Sequence, residues 1–442
     1  MGNYQGYQKY KDSGVEWLGN IPEHWEVKRL KFICTKVQTG TTPPTTQGEY
    51  YTEGNLNWFA PSDFKDGQIL LKESIKKLNI QALEDRIVKH IPKGSVLIVG
   101  IGATLGKVGL LEIDAASNQQ INAIFLNKNN NSKFIAYHLF ISQEIMKVIS
   151  NSTTLGILNQ EKTKLIPLTF PPLNEQEKIA QFLDYKTKQI DELIKKKETL
   201  IEKLDEKRTA VISHAVTKGL DSSVPMKDSC IEWLGEIPKH WKVKRLKNIA
   251  SCNDESLGEN TAPDFEIEYV DISSVDLVSG IRHYENMTFE KAPSRARRKV
   301  QDGDTIISTV RTYLKSIAAI KQPPINLIVS TGFAVIRPKI NINSNYIGYL
   351  LQSEGFVGKV VSNSVGVSYP AINSSVLISL PVVEPPINEQ QKIAQFLDYK
   401  TAQIDKQKAK IKQAIELLKE YRTSLITNAV TGKIDVSQVD IP

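Results

Sequence analysis

The 442-residue chain has little cysteine and no long apolar run. Its three cysteines (Cys34, Cys230 and Cys252) are an odd number, and no two of them stand as a CxxC pair. That excludes a disulfide framework, argues against a structural zinc site and makes a reducing cytoplasm the expected setting. No stretch approaches 18 apolar residues, so no membrane-spanning helix is expected. The opening MGNYQGYQKYKDSG lacks the apolar core of a secretory signal, so none is expected. A large charge excess is missing too. With 56 basic and 49 acidic side chains the net charge is +7, which permits a nucleic-acid partner without demanding one. What is present, 40% hydrophobic and 24% charged residues, suffices for packed cores and excludes a disordered or collagen-like chain.

Catalytic signatures are also lacking. Gly100–Gly106 (GIGATLG) fails as a dinucleotide fingerprint because Leu105 stands where glycine is needed. It fails as a phosphate loop because Ile101 and Val108 replace the required Gly and Ser or Thr. The segment reads instead as a glycine-rich turn after a strand. The six histidines form no HExxH or HxH cluster, so no metal site is expected. His24 and His240 lie beside Trp25 and Trp241 and read as packing residues. No Gly-x-Ser-x-Gly elbow occurs, and neither does an Asp- or Asn-Pro-Pro-aromatic tetrapeptide. The chain is expected to carry no catalytic residues.

What the sequence does contain is a duplication. Asp12–Lys31 (DSGVEWLGNIPEHWEVKRLK) matches Asp228–Lys247 (DSCIEWLGEIPKHWKVKRLK) at 15 of 20 positions. Pro171–Asp191 (PPLNEQEKIAQFLDYKTKQID) matches Pro385–Asp405 (PPINEQQKIAQFLDYKTAQID) at 18 of 21. Shorter echoes follow at Arg208-Thr209 and Arg422-Thr423, and at Ala215-Val216-Thr217 and Ala429-Val430-Thr431. A period of about 215 residues is a duplicated domain, not a solenoid repeat. The intervening segments, Phe32–Phe170 and Asn248–Glu384, have similar lengths but unlike sequences. Only faint echoes link them, such as Ser150–Gln160 with Ser362–Asn373. A frame kept while its inserts change implies one job done twice by the frame and two different jobs done by the inserts.

After each Pro-Pro pair the periodicity becomes helical. Asn174 and Asn388 are expected as N-caps, with Glu175 and Glu389 in the first turn. The apolar positions of the first segment include Ile190, Leu193, Ile194, Leu200, Ile201, Leu204, Val211 and Ile212. In the second, Ile404, Ile411, Leu418 and Leu425 fall at strict sevens, a coiled-coil seam. A stripe of this kind must be buried, and the nearest partner is the duplicate helix, running antiparallel. Dimerisation with another chain is the alternative. In the inserts, Val96–Val99, Ala123–Leu126, Thr305–Ser308 and Phe333–Ile336 read as strands, and Lys133–Ile149 and Ser344–Val361 as helices.

These blocks carry a resemblance. The EWLGxIPxHW pair (Glu16–Trp25, Glu232–Trp241), the PPxNEQxKIAQFLDYKTxQID pair and the endings Ala215–Gly219 and Ala429–Lys433 make the chain similar to the specificity subunits of type I restriction–modification systems. The resemblance spans nearly the whole chain. It implies an α+β protein in which two mixed α/β target recognition domains are separated by two long antiparallel coiled-coil helices, with a pseudo-two-fold internal repeat. The implied boundaries are 1–170 and 222–384 for the recognition domains and 171–221 and 385–442 for the helical regions. It also implies double-stranded DNA as ligand, two modification (methyltransferase) subunits and restriction (ATP-dependent translocase/nuclease) subunits as partners, and no membrane. No cofactor is expected on this chain; S-adenosylmethionine, ATP and Mg would belong to the partners. The implied function is to read a bipartite, asymmetric target and direct the methylation of adenine or the cleavage of DNA. A coiled-coil adaptor without DNA specificity, and an enzyme with an unrecognised site, are the competing readings.

Base readout needs Arg, Lys, Asn, Gln, Ser or Thr in loops that can reach a groove. In the first insert the candidates are Thr41, Thr42, Ser62, Thr104, Lys107, Asn118, Gln119 and Gln120. In the second they are Ser273, Ser274, Arg295, Arg297, Arg298, Thr309, Arg311, Thr312, Tyr313, Lys315, Ser330 and Thr331. Arg311 is the foremost, because it follows a strand in a short polar turn and arginine can grip guanine with two bonds. Arg295, Arg297 and Arg298 are expected on phosphates, which position without specifying.

Overall fold

The structure, a computed structural model, describes residues 4–52, 54–150 and 156–441. Residues 151–155, part of the echo at Ser150–Gln160, lie outside them. The chain forms two compact units, Met1–Lys197 with Gln413–Pro442, and Glu198–Lys412.

The first unit is built on a five-stranded sheet in the order Cys34–Thr39, Ile121–Leu126, Val96–Val99, Val108–Leu111, Leu70–Leu71. Val96–Val99 is a continuous apolar run, and all four residues are buried, because both faces of the strand are covered. Val96 and Ile98 face the helix Ser132–Ile141, whereas Leu97 and Val99 face a second core with Phe59 and Phe64. A smaller sheet joins Ala116–Ser117, Leu56–Phe59 and Lys77–Leu78.

The second unit repeats this plan with different residues. One four-stranded sheet runs Ala250–Cys252, Phe333–Pro338, Thr305–Ser308, Ile317–Ala319. The other runs Glu285–Thr288, Glu266–Val270, Leu327–Ser330, Ala296–Lys299. Ile307 faces the helical side and Ile306 the opposite core. Each expected insert helix is two helices. Ser132–Ile141 and Gln143–Ser150 are parted at Ser142, and Ser344–Gln352 and Glu354–Ser362 at Ser353. At both breaks the serine hydroxyl bonds a carbonyl of the preceding turn, to His138 O (2.7 Å) and to Leu350 O (2.6 Å), competing with the backbone ladder.

The long helices are Leu173–Lys218 and Ile387–Val430. They begin one residue before Asn174 and Asn388, which therefore are not N-caps. The carbonyl of Pro172 accepts from Glu175 and Gln176, and that of Pro386 from Glu389 and Gln390, so the prolines occupy the cap position. Within each unit the two helices run antiparallel. In the second unit Asp205 meets Lys408 (2.5 Å), while Arg208 meets Asp405 (3.1 Å). In the first unit Arg422 meets Asp191 (2.9 Å), the repeat-related copy of the Arg208–Asp405 pair. Leu193 and Leu200 do not join the seam and are exposed. The stripe that keeps heptad phase is 190, 194, 197, 201, 204, 208, 211, and positions 193 and 200 fall one residue off it.

The shared sequence blocks grip each other. Glu175 accepts from the Trp25 indole (2.9 Å) and bonds His24 (2.7 Å); Glu389 does the same with Trp241 (2.9 Å) and His240 (2.6 Å). The next residue, Gln176 or Gln390, accepts from the backbone of Asn131 (3.0 Å) or Asn343 (2.9 Å), the caps of the insert helices. Lys433 reaches the carbonyls of Leu18 and Asn20, as Lys218 reaches those of Leu234 and Glu236. Gly432 holds φ +72, and a Cβ there would lie 2.4 Å from Pro22, so the chain needs glycine at that turn.

Candidate nucleic-acid interface

Three turns in each unit hold most of the candidates, and they are topologically equivalent. Leu56–Phe59 pairs in parallel with Ala116–Ser117, and Glu266–Val270 with Leu327–Ser330. Past the first strand of each pair lies a short 3-10 turn, Pro61–Asp63 or Ile272–Ser274. At the end of the second lie Asn118–Gln120 or Ser330-Thr331. The third turn joins the antiparallel strands Val96–Val99 and Val108–Leu111, or Thr305–Ser308 and Ile317–Ala319. Two unlike sequences thus present candidates at the same places, because polar residues begin where each buried strand runs out.

In the first unit the backbone of Thr41 donates to Ser117 O (2.9 Å) and its hydroxyl to Ile87 O (2.9 Å). The Thr42 hydroxyl bonds the Gln119 amide oxygen. Asn118 is buried: its amide donates to Gln120 Oε1 and its Oδ1 accepts from Gln120 N, each at 3.0 Å. Gln120 O in turn accepts from Gly100 N (2.7 Å). Ser62 and Gln119 are exposed, and Thr104 is half-buried in the turn that holds Gly102 and Gly106. Lys107 is tied to Phe64 O (3.1 Å) and Asp66 (2.7 Å), so a carboxylate already neutralises its charge.

In the second unit Ser273, Arg295, Thr331 and Thr309 lie along one run of bonds through Asp271 and Gly332, while Arg297 and Arg298 stand apart from it. Arg295 meets Asp271 (2.9 Å) and the Tyr269 hydroxyl (3.1 Å), and its carbonyl accepts from Thr331 N (2.7 Å). The Asp271 carboxyl lies below its usual range. Burial alone would raise it, but bonds from Ser273 N and Tyr269 and the charge of Arg295 outweigh that. Gly332 O accepts from Thr309 N (2.8 Å) and Oγ1 (2.9 Å), which leads to the 311–315 turn. Arg297 lies over Phe289 (4.5 Å to the ring centroid), and Arg298 reaches Ser256 (3.4 Å). Ser273, Thr331, Arg311, Tyr313 and Lys315 are exposed. Ser274, Thr312 and Ser330 are buried, with their hydroxyls bonded to His283 (3.1 Å), Ser364 (2.7 Å) and the Gly332 amide (3.3 Å).

The arrangement can present hydrogen-bond donors to a polyanion from several turns at once, while Asn118, Ser274, Thr312 and Ser330 shape those turns from inside. Missed in the sequence is the segment Ser364–Pro370, whose Tyr369 ring lies 4.6 Å from the Arg311 guanidinium. Its signal was the echo with Ser150–Gln160, which marks a segment common to both inserts without showing what it touches. Among the described residues, no group of three or more His, Cys, Asp or Glu side chains is placed to hold a metal ion.

Comparison with known proteins gives a consistent result. The family model described as type I restriction modification DNA specificity domain matches residues 22–203 and 238–417. The MjaIX specificity subunit of a type I restriction enzyme from Methanocaldococcus jannaschii is 26% identical, over 96% of this chain and 96% of its own. The MjaVIII specificity subunit of the same organism is 24% identical, over 98% of this chain and 99% of its own. Among solved structures, a chain from work on complex assembly and conformational transition of the type I R-M system superposes with a TM-score of 0.67 at 17% identity. That match covers 93% of this chain and 98% of the other. The HsdS subunit from Thermoanaerobacter tengcongensis gives a TM-score of 0.51 at 16% identity, over 94% and 98%. At these identities the two structures speak to the fold.

Proposed function

Because this chain belongs to the type I restriction–modification DNA specificity family, we propose that its two units read the two unlike halves of one bipartite, asymmetric DNA target. The chain is a specificity subunit, a recognition component and not an enzyme. The observation that carries the bipartite reading is the equivalence of the three turns in the two units, combined with their different residues. One backbone plan with two sets of side chains is what reading two sequences through one mode of docking requires.

We propose further that the repeated frame offers the same surface twice and so engages two modification subunits, to which restriction subunits add. S-adenosylmethionine, ATP and Mg are assigned to those partners, and the target base to adenine. No helix among the described residues is long and apolar enough to cross a membrane, and a cytoplasmic setting follows from the DNA substrate. A coiled-coil adaptor without specificity is disfavoured by the family match, which covers the inserts as well as the helices.

Methylome sequencing of a host carrying this chain with its modification subunit tests the proposal. The expected motif is two different short half-sites separated by unspecified bases. A single continuous palindrome would refute the bipartite reading.

A further inference from the structure

The 311–315 turn of the second unit is held in a conformation that side chains rarely take. Arg311 has φ +48 and ψ +46, and Lys315 has φ +54 and ψ +39, both left-handed. The equivalent turn of the first unit, between Val96–Val99 and Val108–Leu111, is also left-handed at two positions, Gly102 (φ +92) and Gly106 (φ +85). There glycine takes the conformation without a Cβ penalty. The second unit places two cations at these positions, a strain that such turns keep at functional sites.

The surroundings hold Arg311 without neutralising it. Its amide donates to Pro370 O (2.7 Å), and the Thr312 hydroxyl ties the turn to Ser364 (2.7 Å). Ile372 N donates to Thr309 O (2.8 Å), so Ser364–Pro370 is fastened along the turn from both sides. The guanidinium lies over the exposed ring of Tyr369. Among the described residues no ion pair engages Arg311, in contrast to Arg295 with Asp271 and Lys107 with Asp66. A ring against one face fixes the plane of a guanidinium and leaves its edge of N–H donors open. That edge matches the O6 and N7 acceptors of guanine.

We infer that Tyr369 is a positioning residue for specificity. It holds Arg311 ready to read a guanine in the half-site of the second unit, and Ser364–Pro370 is a second loop of that reading surface. The inference rests on the proposed function and adds the residue, the base and the division of labour. Lys315, equally exposed and without an ion pair among the described residues, contacts phosphate beside it.

The test uses the assembled methyltransferase with wild-type chain, Tyr369→Ala, Tyr369→Phe and Arg311→Lys. Each complex is assayed on duplexes in which every base pair of both half-sites is varied in turn. Tyr369→Ala and Arg311→Lys are expected to lower discrimination at one G·C pair of one half-site by about 5- to 100-fold. Tyr369→Phe, which keeps the ring, is expected to restore it. The other half-site serves as the internal control for folding. Full discrimination in Tyr369→Ala with the other half-site intact overturns the inference, as does a loss spread equally over both half-sites. A wild-type complex with no sequence preference would instead overturn the proposed function itself.

Discussion

His138 stands in the helix Ser132–Ile141. It lies wholly inside the first unit, where its Nε2 accepts from Thr169 N (3.0 Å), and burial lowers its pKa from 6.5 to about 3. The folded state therefore keeps it neutral while the unfolded chain takes up a proton below pH 6.5. Stability contributed by this neutral state is complete above pH 6.5 and is lost as the pH falls toward 3. By pH 5 the loss amounts to about 2 kcal/mol. Chemical denaturation between pH 7 and 5 should show this slope for the wild type, and His138→Gln, which keeps an acceptor, should flatten it. An unchanged slope in the variant would remove His138 as the cause. The equivalent helix of the second unit carries Leu350 at this place, so the repeat does not mark position 138. Residue type pointed to Asn118, Ser274, Thr312 and Ser330 as readily as to Arg311. Only packing tells a polar group that shapes a turn from one that faces outward.

At the scale of elements more was legible. Val96–Val99 and Thr305–Ser308 stand where the sequence placed them, because a short apolar run ending in a polar turn is an unambiguous buried strand once both faces are covered. The long helices were legible as well, and so was the seam of the second at Ile404, Ile411, Leu418 and Leu425; the seam of the first was legible only in part. Leu193 and Leu200 are apolar and off phase, whereas Arg208 and Arg422 are charged and in phase. Arg422 is almost fully buried, and its guanidinium is satisfied by the half-exposed carboxylate of Asp191. Removing the carboxylate strands a buried cation, whereas removing both groups does not. Asp191→Ala is expected to cost about 1–3 kcal/mol in equilibrium unfolding, and adding Arg422→Leu should recover most of it. If the double variant is as unstable as the single one, the pair contributes more than mutual neutralisation. Charged seam residues of this kind fix register at some expense of stability. The sequence could not show this, because the partner of each arginine lies about 200 or more residues away along the chain.

For the whole molecule the duplication has a consequence that can be tested directly. Each frame holds its insert by the same few bonds. Gln176 and Gln390 accept from the cap residues Asn131 and Asn343; Asp184 and Asp398 accept from the hydroxyls of Tyr137 (2.9 Å) and Tyr349 (2.8 Å). Thr187 and Thr401 complete each cluster at 3.2 Å. Nothing in these contacts depends on the turns that differ between the units. Either frame should therefore accept either insert, and the identity of each half-site should travel with its insert. Replacing Phe32–Phe170 with a second copy of Asn248–Glu384 is expected to yield a folded chain that still directs methylation. Its target should be built from the second unit's half-site twice, with the first unit's half-site gone. The methylome of cells carrying the chimera reads this out without purification. Persistence of the original asymmetric motif would show that specificity resides in the frame. Loss of methylation with a melting temperature like that of the wild type would show that the inserts, too, contribute to engaging the modification subunits, and that the division between a constant frame and exchangeable readers is incomplete.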